Sequence, residues 1–151
     1  MLVNEIMTRS VRTVTPDTPL TEVVSLMCLY RYSGIPVMEG ETLIGIIAEK
    51  DILASLLPTA DDLKDGMAAI DFDKRLVEYG NVVKGTVGDL MTRSVKSVPA
   101  DMHILKAASI MAGSRFRRIP VTEGDKLLGM LSLGDVHKAI FHKNISAGSA
   151  A

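Results

Sequence analysis

The sequence predicts an α+β fold made of two copies of one β-α-β-β-α unit, and three observations lead there. The first is an internal repeat. Met7-Thr8-Arg9-Ser10-Val11 recurs as Met91-Thr92-Arg93-Ser94-Val95, an offset of 91 − 7 = 84, and no gap is needed from Val3 to Leu53. In that register Ile35-Pro36-Val37 meets Ile119-Pro120-Val121, Gly45 meets Gly129 and Asp51 meets Asp135. The second is that strand-like and helix-like apolar periods alternate in the same order in each copy. The third is that 151 residues make one ordinary domain, so the copies are expected to share one core about a pseudo-two-fold axis. Such an arrangement leaves clefts between the copies, where function is to be sought.

Taken in order, Val11 to Thr15 alternates like a short strand. Thr18 and Pro19 suit the N-cap and first position of a helix. Leu20, Val23, Val24, Met27 and Cys28 then line one apolar face, and Gly34 ends the helix. Ile35 to Met38 and Leu43 to Ala48 read as strands joined by a turn at Glu39 to Thr42. A helix follows from Ile52 to Leu57, closed by Pro58. The second copy repeats this with a strand at Val95 to Val98 and a helix from about Met102 to Gly113, with Ile104, Leu105, Ala108 and Met111 inward. Two strands follow at Ile119–Thr122 and Leu127–Leu131, and a last helix from about Ser132 to Phe141. The boundaries are thus a first repeat at 1–58, a helical insertion or linker at 59–85, a second repeat at 86–143 and a flexible tail at 144–151. In the insertion, Asp61–Asp65 and Phe72–Tyr79 read as short amphipathic helices.

Composition narrows the function classes. Seventeen basic residues against eighteen acidic ones give a net charge of −1, which argues against a bulk electrostatic grip on nucleic acid or anionic lipid. Apolar residues make up 47% and aromatic ones 4%, so the core must be aliphatic, with nine methionines as filler. A single cysteine, Cys28, excludes an internal disulfide and a thiolate metal cluster, and its apolar neighbours suggest a passive buried thiol. The N-terminus has neither the basic start nor the apolar stretch of a signal peptide, and no apolar run reaches the roughly 20 residues that cross a bilayer. A cytoplasmic protein is expected. His103, His137 and His142 lack metal-ligand spacing, and no nucleophile stands beside a base, so neither a metal site nor a catalytic set is expected.

The residue order carries a resemblance. Val3-Asn4-Glu5-Ile6-Met7-Thr8, the Thr18-Pro19-Leu20 helix start, Ile35-Pro36-Val37, and Leu43-Ile44-Gly45-Ile46-Ile47 followed by Asp51 resemble a cystathionine-β-synthase (CBS) domain. Thr86-Val87-Gly88-Asp89-Leu90-Met91-Thr92 through Asp135 resembles a second, so the pair is similar to a Bateman module. The resemblance implies a regulatory module that is not an enzyme. It implies adenine ligands (AMP, ADP, ATP or S-adenosylmethionine, with Mg²⁺ left open) in clefts between the copies. It also implies a homodimer that signals through its dimer surfaces to a separate enzyme or transporter. The alternative is a dimerising scaffold with vestigial clefts.

The family's nucleotide signature, Gly, then Ser or Thr, then Asp, stands complete in the second copy as Gly129, Ser132 and Asp135. Glycine allows close approach to a ligand. A hydroxyl at a helix start can meet phosphate, and a carboxylate can accept from a ribose diol. The alternative for Ser132 and Asp135 is capping of the last helix. The first copy keeps Gly45 and Asp51 but has Ala48 for the hydroxyl and Lys50 opposite Gly134, so a weaker second cleft is expected. Arg117 and Arg118 match the family's phosphate-reaching positions, with surface salt bridges as their alternative. They favour a phosphorylated ligand over the sulfonium of S-adenosylmethionine. The resemblance adds Ser10, Val11, Arg12, Tyr32 and Met130 to the Asp135 cleft, and Ser94, Val95, Lys96, Phe116 and Ile46 to the Asp51 cleft. For Tyr32 and Phe116 the alternative is core packing.

Overall fold

The structure, a computed structural model, describes residues 1–149, with side chains through residue 146. Apart from the opening strand of each copy, its elements follow the expected order twice. The first repeat has α1 (Leu20–Tyr30), β1 (Gly34–Glu39), β2 (Thr42–Ala48) and α2 (Glu49–Leu53). The insertion carries two 3-10 turns, Asp62–Asp65 and Met67–Ala69, and then α3 (Phe72–Val82). The second repeat has α4 (Val87–Leu90), α5 (Ile104–Gly113), β3 (Arg118–Glu123), β4 (Lys126–Ser132) and α6 (Leu133–Ser149).

The chain divides into two compact units whose borders are not those of the repeats. One comprises Met1–Arg12, Glu41–Leu43 and the chain from Lys96 on; the other comprises Thr13–Gly40 and Ile44–Val95. Each repeat therefore gives its opening segment to the unit that holds the rest of the other. In the second-repeat unit, Val3 and Met7 are buried with Ile104, Met111, Ile119, Leu131 and Val136. In the first-repeat unit, Val87 and Met91 are buried with Leu20, Val23, Ile35, Ile47 and Ile52. The expected single core is thus corrected to two clusters. Both are aliphatic, as the composition requires, and each fully buried Val, Leu or Ile contributes about 1.5–3 kcal/mol.

Strand pairing in the second-repeat unit is antiparallel, with Arg118 opposite Ser132, Ile119 opposite Leu131 and Val121 opposite Gly129, and an irregularity between Val121 and Thr122. Thr42 pairs with Lys126 in the same unit. In the other unit β1 lies beside β2. The strands expected at Val11–Thr15 and Val95–Val98 shrink to one parallel bridge each, Val14 with Val37 and Val98 with Val121. Pro16 lies two residues after Val14 and Pro99 directly after Val98, and a proline has no N–H to extend the ladder.

Several local expectations shift by a residue or a turn. Pro19, not Thr18, is the cap of α1, while the Thr18 hydroxyl accepts from the Thr15 amide at 3.0 Å. His103 caps α5, its Nδ1 accepting from the Leu105 amide at 3.1 Å. Leu105 points outward, and Ala107 takes the inward place beside Ile104 and Met111. Cys28 is exposed, which corrects the expected buried thiol: the buried stripe of α1 is Leu20, Val23 and Met27. The last helix does not stop at Phe141. α6 runs to Ser149, with the Asn144 side chain donating to the Ile140 carbonyl, because no proline interrupts the helical run. Of the segment read as a tail, residues 150–151 lie outside the described residues.

Candidate functional site

The site begins at a glycine pressed against backbone. A Cβ placed on Gly129 would lie 2.5 Å from the Thr8 carbonyl oxygen and 3.2 Å from the Met7 sulfur. The close approach at this glycine is therefore made by the chain's own N-terminal segment, which corrects the sequence-based reason for it. Thr8 and Met130 exchange both backbone hydrogen bonds at 2.9 Å. Ser10, Val11 and Arg12 follow within four residues of that bridge and belong to the same unit. Met130 itself is only 8% exposed.

β4 then delivers Ser132 to the start of α6, where a reciprocal capping box forms. The Ser132 amide donates to Oδ2 of Asp135 at 3.0 Å, and the Asp135 amide donates to Oγ of Ser132 at 3.0 Å. The capping role is thus real. It engages only one carboxylate oxygen: among the described residues, Oδ1 of Asp135 accepts no hydrogen bond.

The arginines arrive at the same place through the sheet. Arg118 sits directly opposite Ser132 across β3 and β4, so both side chains share one face, with Cβ atoms expected about 4.5–5.5 Å apart. Arg117 is tied to the same turn by its carbonyl, which accepts from the Leu133 amide at 2.9 Å. Both arginines are exposed, and neither forms an ion pair among the described residues. One unit therefore brings a serine hydroxyl and a carboxylate to the first turn of α6, with the backbones of Arg117 and Arg118 beside it.

The first-repeat counterpart is built alike and equipped differently. A Cβ on Gly45 would lie 2.6 Å from the Thr92 carbonyl oxygen, and Ile46 exchanges both backbone hydrogen bonds with Thr92 at 2.9 Å. The Ala48 amide donates to Oδ2 of Asp51 at 2.8 Å. Here Oδ1 is engaged as well, accepting from the Thr92 hydroxyl at 3.1 Å. Ser33 and Gly34 occupy the positions of Arg117 and Arg118, and the Ser33 carbonyl accepts from the Glu49 amide as that of Arg117 does from Leu133. Lys50 and Ser94 are exposed and Ile46 and Val95 half-buried in this unit.

Three sequence candidates have other engagements. Tyr32 stacks on Tyr30 with ring centres 5.7 Å apart and packs on the first-repeat core. Phe116 packs on the second-repeat core. The Lys96 ammonium donates to the Ser114 hydroxyl at 2.9 Å. Thr92 is the residue that sequence reasoning missed. It was visible only as a repeat marker, because the contact it makes is 41 residues away in the chain. No cluster of three or more potential metal-ligating side chains occurs among the described residues, and no described helix is long and apolar enough to cross a membrane.

The CBS-domain family model matches residues 3–58 and 87–142. The chain belongs to the CBS-domain family. This CBS pair is 30% identical over 148 residues to the CBS domain-containing protein YhcV of Bacillus subtilis, covering 98% of this chain and 91% of that one. It is 30% identical over 140 residues to the chloroplastic CBS domain-containing protein CBSX2 of Arabidopsis thaliana, of which it spans 59%. The crystal structure of CBSX2 in complex with AMP superposes with a TM-score of 0.72 at 28% identity, covering 95% of this chain and 98% of that one. The CBS-pair fold expected from the repeat is therefore the one this protein has.

Proposed function

We propose that this CBS pair is a regulatory module that binds an adenine nucleotide (AMP, ADP or ATP) at the first turn of α6 and acts on a separate enzyme or transporter. The observation that supports the reading is the Ser132–Asp135 capping box, which leaves Oδ1 of Asp135 without a hydrogen bond among the described residues, with the backbones of Arg117 and Arg118 beside the same turn. Asp135 Oδ1 is suited to a ribose hydroxyl, and Ser132 and the arginines to phosphate. Ser10 to Arg12 lie in the same unit and supply backbone groups for the base. The complex of CBSX2 with AMP supports the same ligand class. Two guanidinium groups disfavour a sulfonium ligand. No residue set in the site activates a nucleophile, so the reading is binding and not catalysis.

Occupancy would be passed on through a homodimer, for which exposed Leu29, Tyr30, Leu105, Phe141 and Ile145 offer apolar helix surface. The setting proposed is cytoplasmic. Thermal unfolding with AMP, ADP and ATP tests the core of this reading. A ligand at about 100 times its dissociation constant should add about 2.7 kcal/mol of stability. An unchanged midpoint at millimolar ligand would overturn it and leave the scaffold reading, which the first repeat favours by lacking both the arginines and the serine. Native mass spectrometry would report the dimer: a monomer at micromolar protein, with and without nucleotide, rejects signalling between protomers.

A further inference from the structure

We infer that Thr92 silences the first repeat: its hydroxyl stands in for a ribose hydroxyl on Asp51, so that the protein takes one nucleotide per chain. This rests on the reading of Asp135 as a ribose contact. The two aspartates cap their helices in the same way, through Oδ2 and the amide three residues earlier. They differ in the other oxygen. Oδ1 of Asp51 accepts the Thr92 hydroxyl at 3.1 Å, while that of Asp135 accepts nothing among the described residues.

The donor is held in place. Thr92 is fixed by two backbone hydrogen bonds to Ile46, both 2.9 Å, and the segment presses on Gly45, where a Cβ would meet the Met91 methyl at 2.5 Å. A hydroxyl on a fixed backbone satisfies an anionic acceptor without the ordering cost that a ligand hydroxyl incurs. The counterpart, Thr8, has the same backbone bridge, to Met130, yet makes no side-chain hydrogen bond to Asp135 among the described contacts. The lost serine at Ala48 and the absent arginines weaken the phosphate side of the first repeat. Thr92 removes its sugar side as well.

Calorimetric titration with adenosine, which needs no phosphate contact, and with AMP tests this in the full chain. The wild type should bind one AMP per chain. In an Asp135→Ala background, Thr92→Val should tighten adenosine binding about tenfold, the worth of one hydrogen bond to a charged group. Thr92→Ser, which keeps the hydroxyl, and Thr8→Val should give no such gain. The gain should vanish with 2′,3′-dideoxyadenosine. Two equivalent AMP sites in the wild type, no gain from Thr92→Val, or an equal gain from Thr8→Val would each overturn the inference. A wild type that binds nothing while Thr92→Val binds one adenosine would support Thr92 and overturn the Asp135 reading. Silence in both proteins would overturn both. Circular dichroism melts before titration establish that each variant is folded.

Discussion

Asp135 caps α6 and is proposed to hold a ribose, and substitutions can separate the two roles. Asp135→Ala removes the acceptor for the Ser132 amide as well as the proposed ribose contact. It should lower stability by about 0.5–2 kcal/mol and abolish the nucleotide-dependent rise in melting temperature. Asp135→Asn keeps a side-chain oxygen for the cap, so it should retain most of the stability and still lose most of the nucleotide effect; equal effects on both would mean that capping is its whole role. Gly129 makes a different demand. Gly129→Ala places a methyl group 2.5 Å from the Thr8 carbonyl oxygen, which is backbone and cannot swing aside. An overpacking loss of about 1–3 kcal/mol in urea unfolding is expected, with or without nucleotide. Cys28, exposed on α1, should react with a thiol reagent in the native state. Protection until denaturant is added would contradict the placement.

At the scale of elements, helix starts are the recurring device. Ala48 with Asp51, Thr86 with Asp89 and Ser132 with Asp135 all use an acid at the third helical position to hold the cap amide. The insertion uses the same chemistry at Thr59 and Asp62, where the amide of Thr59 donates to Oδ2 of Asp62 at 2.8 Å and Arg75 pairs with that oxygen at 3.1 Å. Hydrogen bonds from the Thr59 amide, then the Thr59 hydroxyl, and then Arg75 hold the Asp62 carboxyl below its ordinary 3.8. The unfolded chain then binds a proton more readily than the folded one, so this contribution is present above about pH 3.8 and lost as the pH falls through the lowered value. Asp62→Asn should therefore flatten the acid limb of stability below that pH and spare nucleotide binding. An acid limb of unchanged slope in Asp62→Asn would show that Asp62 carries none of it.

The whole molecule is organised by exchange. Val3 and Met7 complete the second-repeat core, and Val87 and Met91 complete the first-repeat core. Neither repeat, cut at its own boundary, contains a full cluster. A fragment from Thr86 onward should lack cooperative unfolding, and adding residues 1–12 as a separate peptide at high concentration should restore part of it. Val3→Ala, which removes two carbons from a fully buried side chain, should cost about 1–3 kcal/mol in urea unfolding. A fragment that melts sharply by itself would mean that the exchange is incidental to stability.

The repeat, the α+β order and the aliphatic core were legible in the chain because they depend on local period and on matched positions, while Asp135, Ser132, Arg117 and Arg118 stood out as candidates through the family resemblance. Arg118 opposite Ser132 follows from a hairpin, whose register is itself short-range. What lay beyond reach depends on pairs distant in sequence. The aspartate at each helix start is a local signal, but only folding sets Thr92 against Asp51, 41 residues away, and leaves Asp135 with an oxygen to offer. Only folding, too, turns Gly129 from a guess about a ligand into a crossing point for Thr8. Periodicity reports which face of an element is apolar; it carries no term for which distant segment will cover that face, and that choice separated the two repeats.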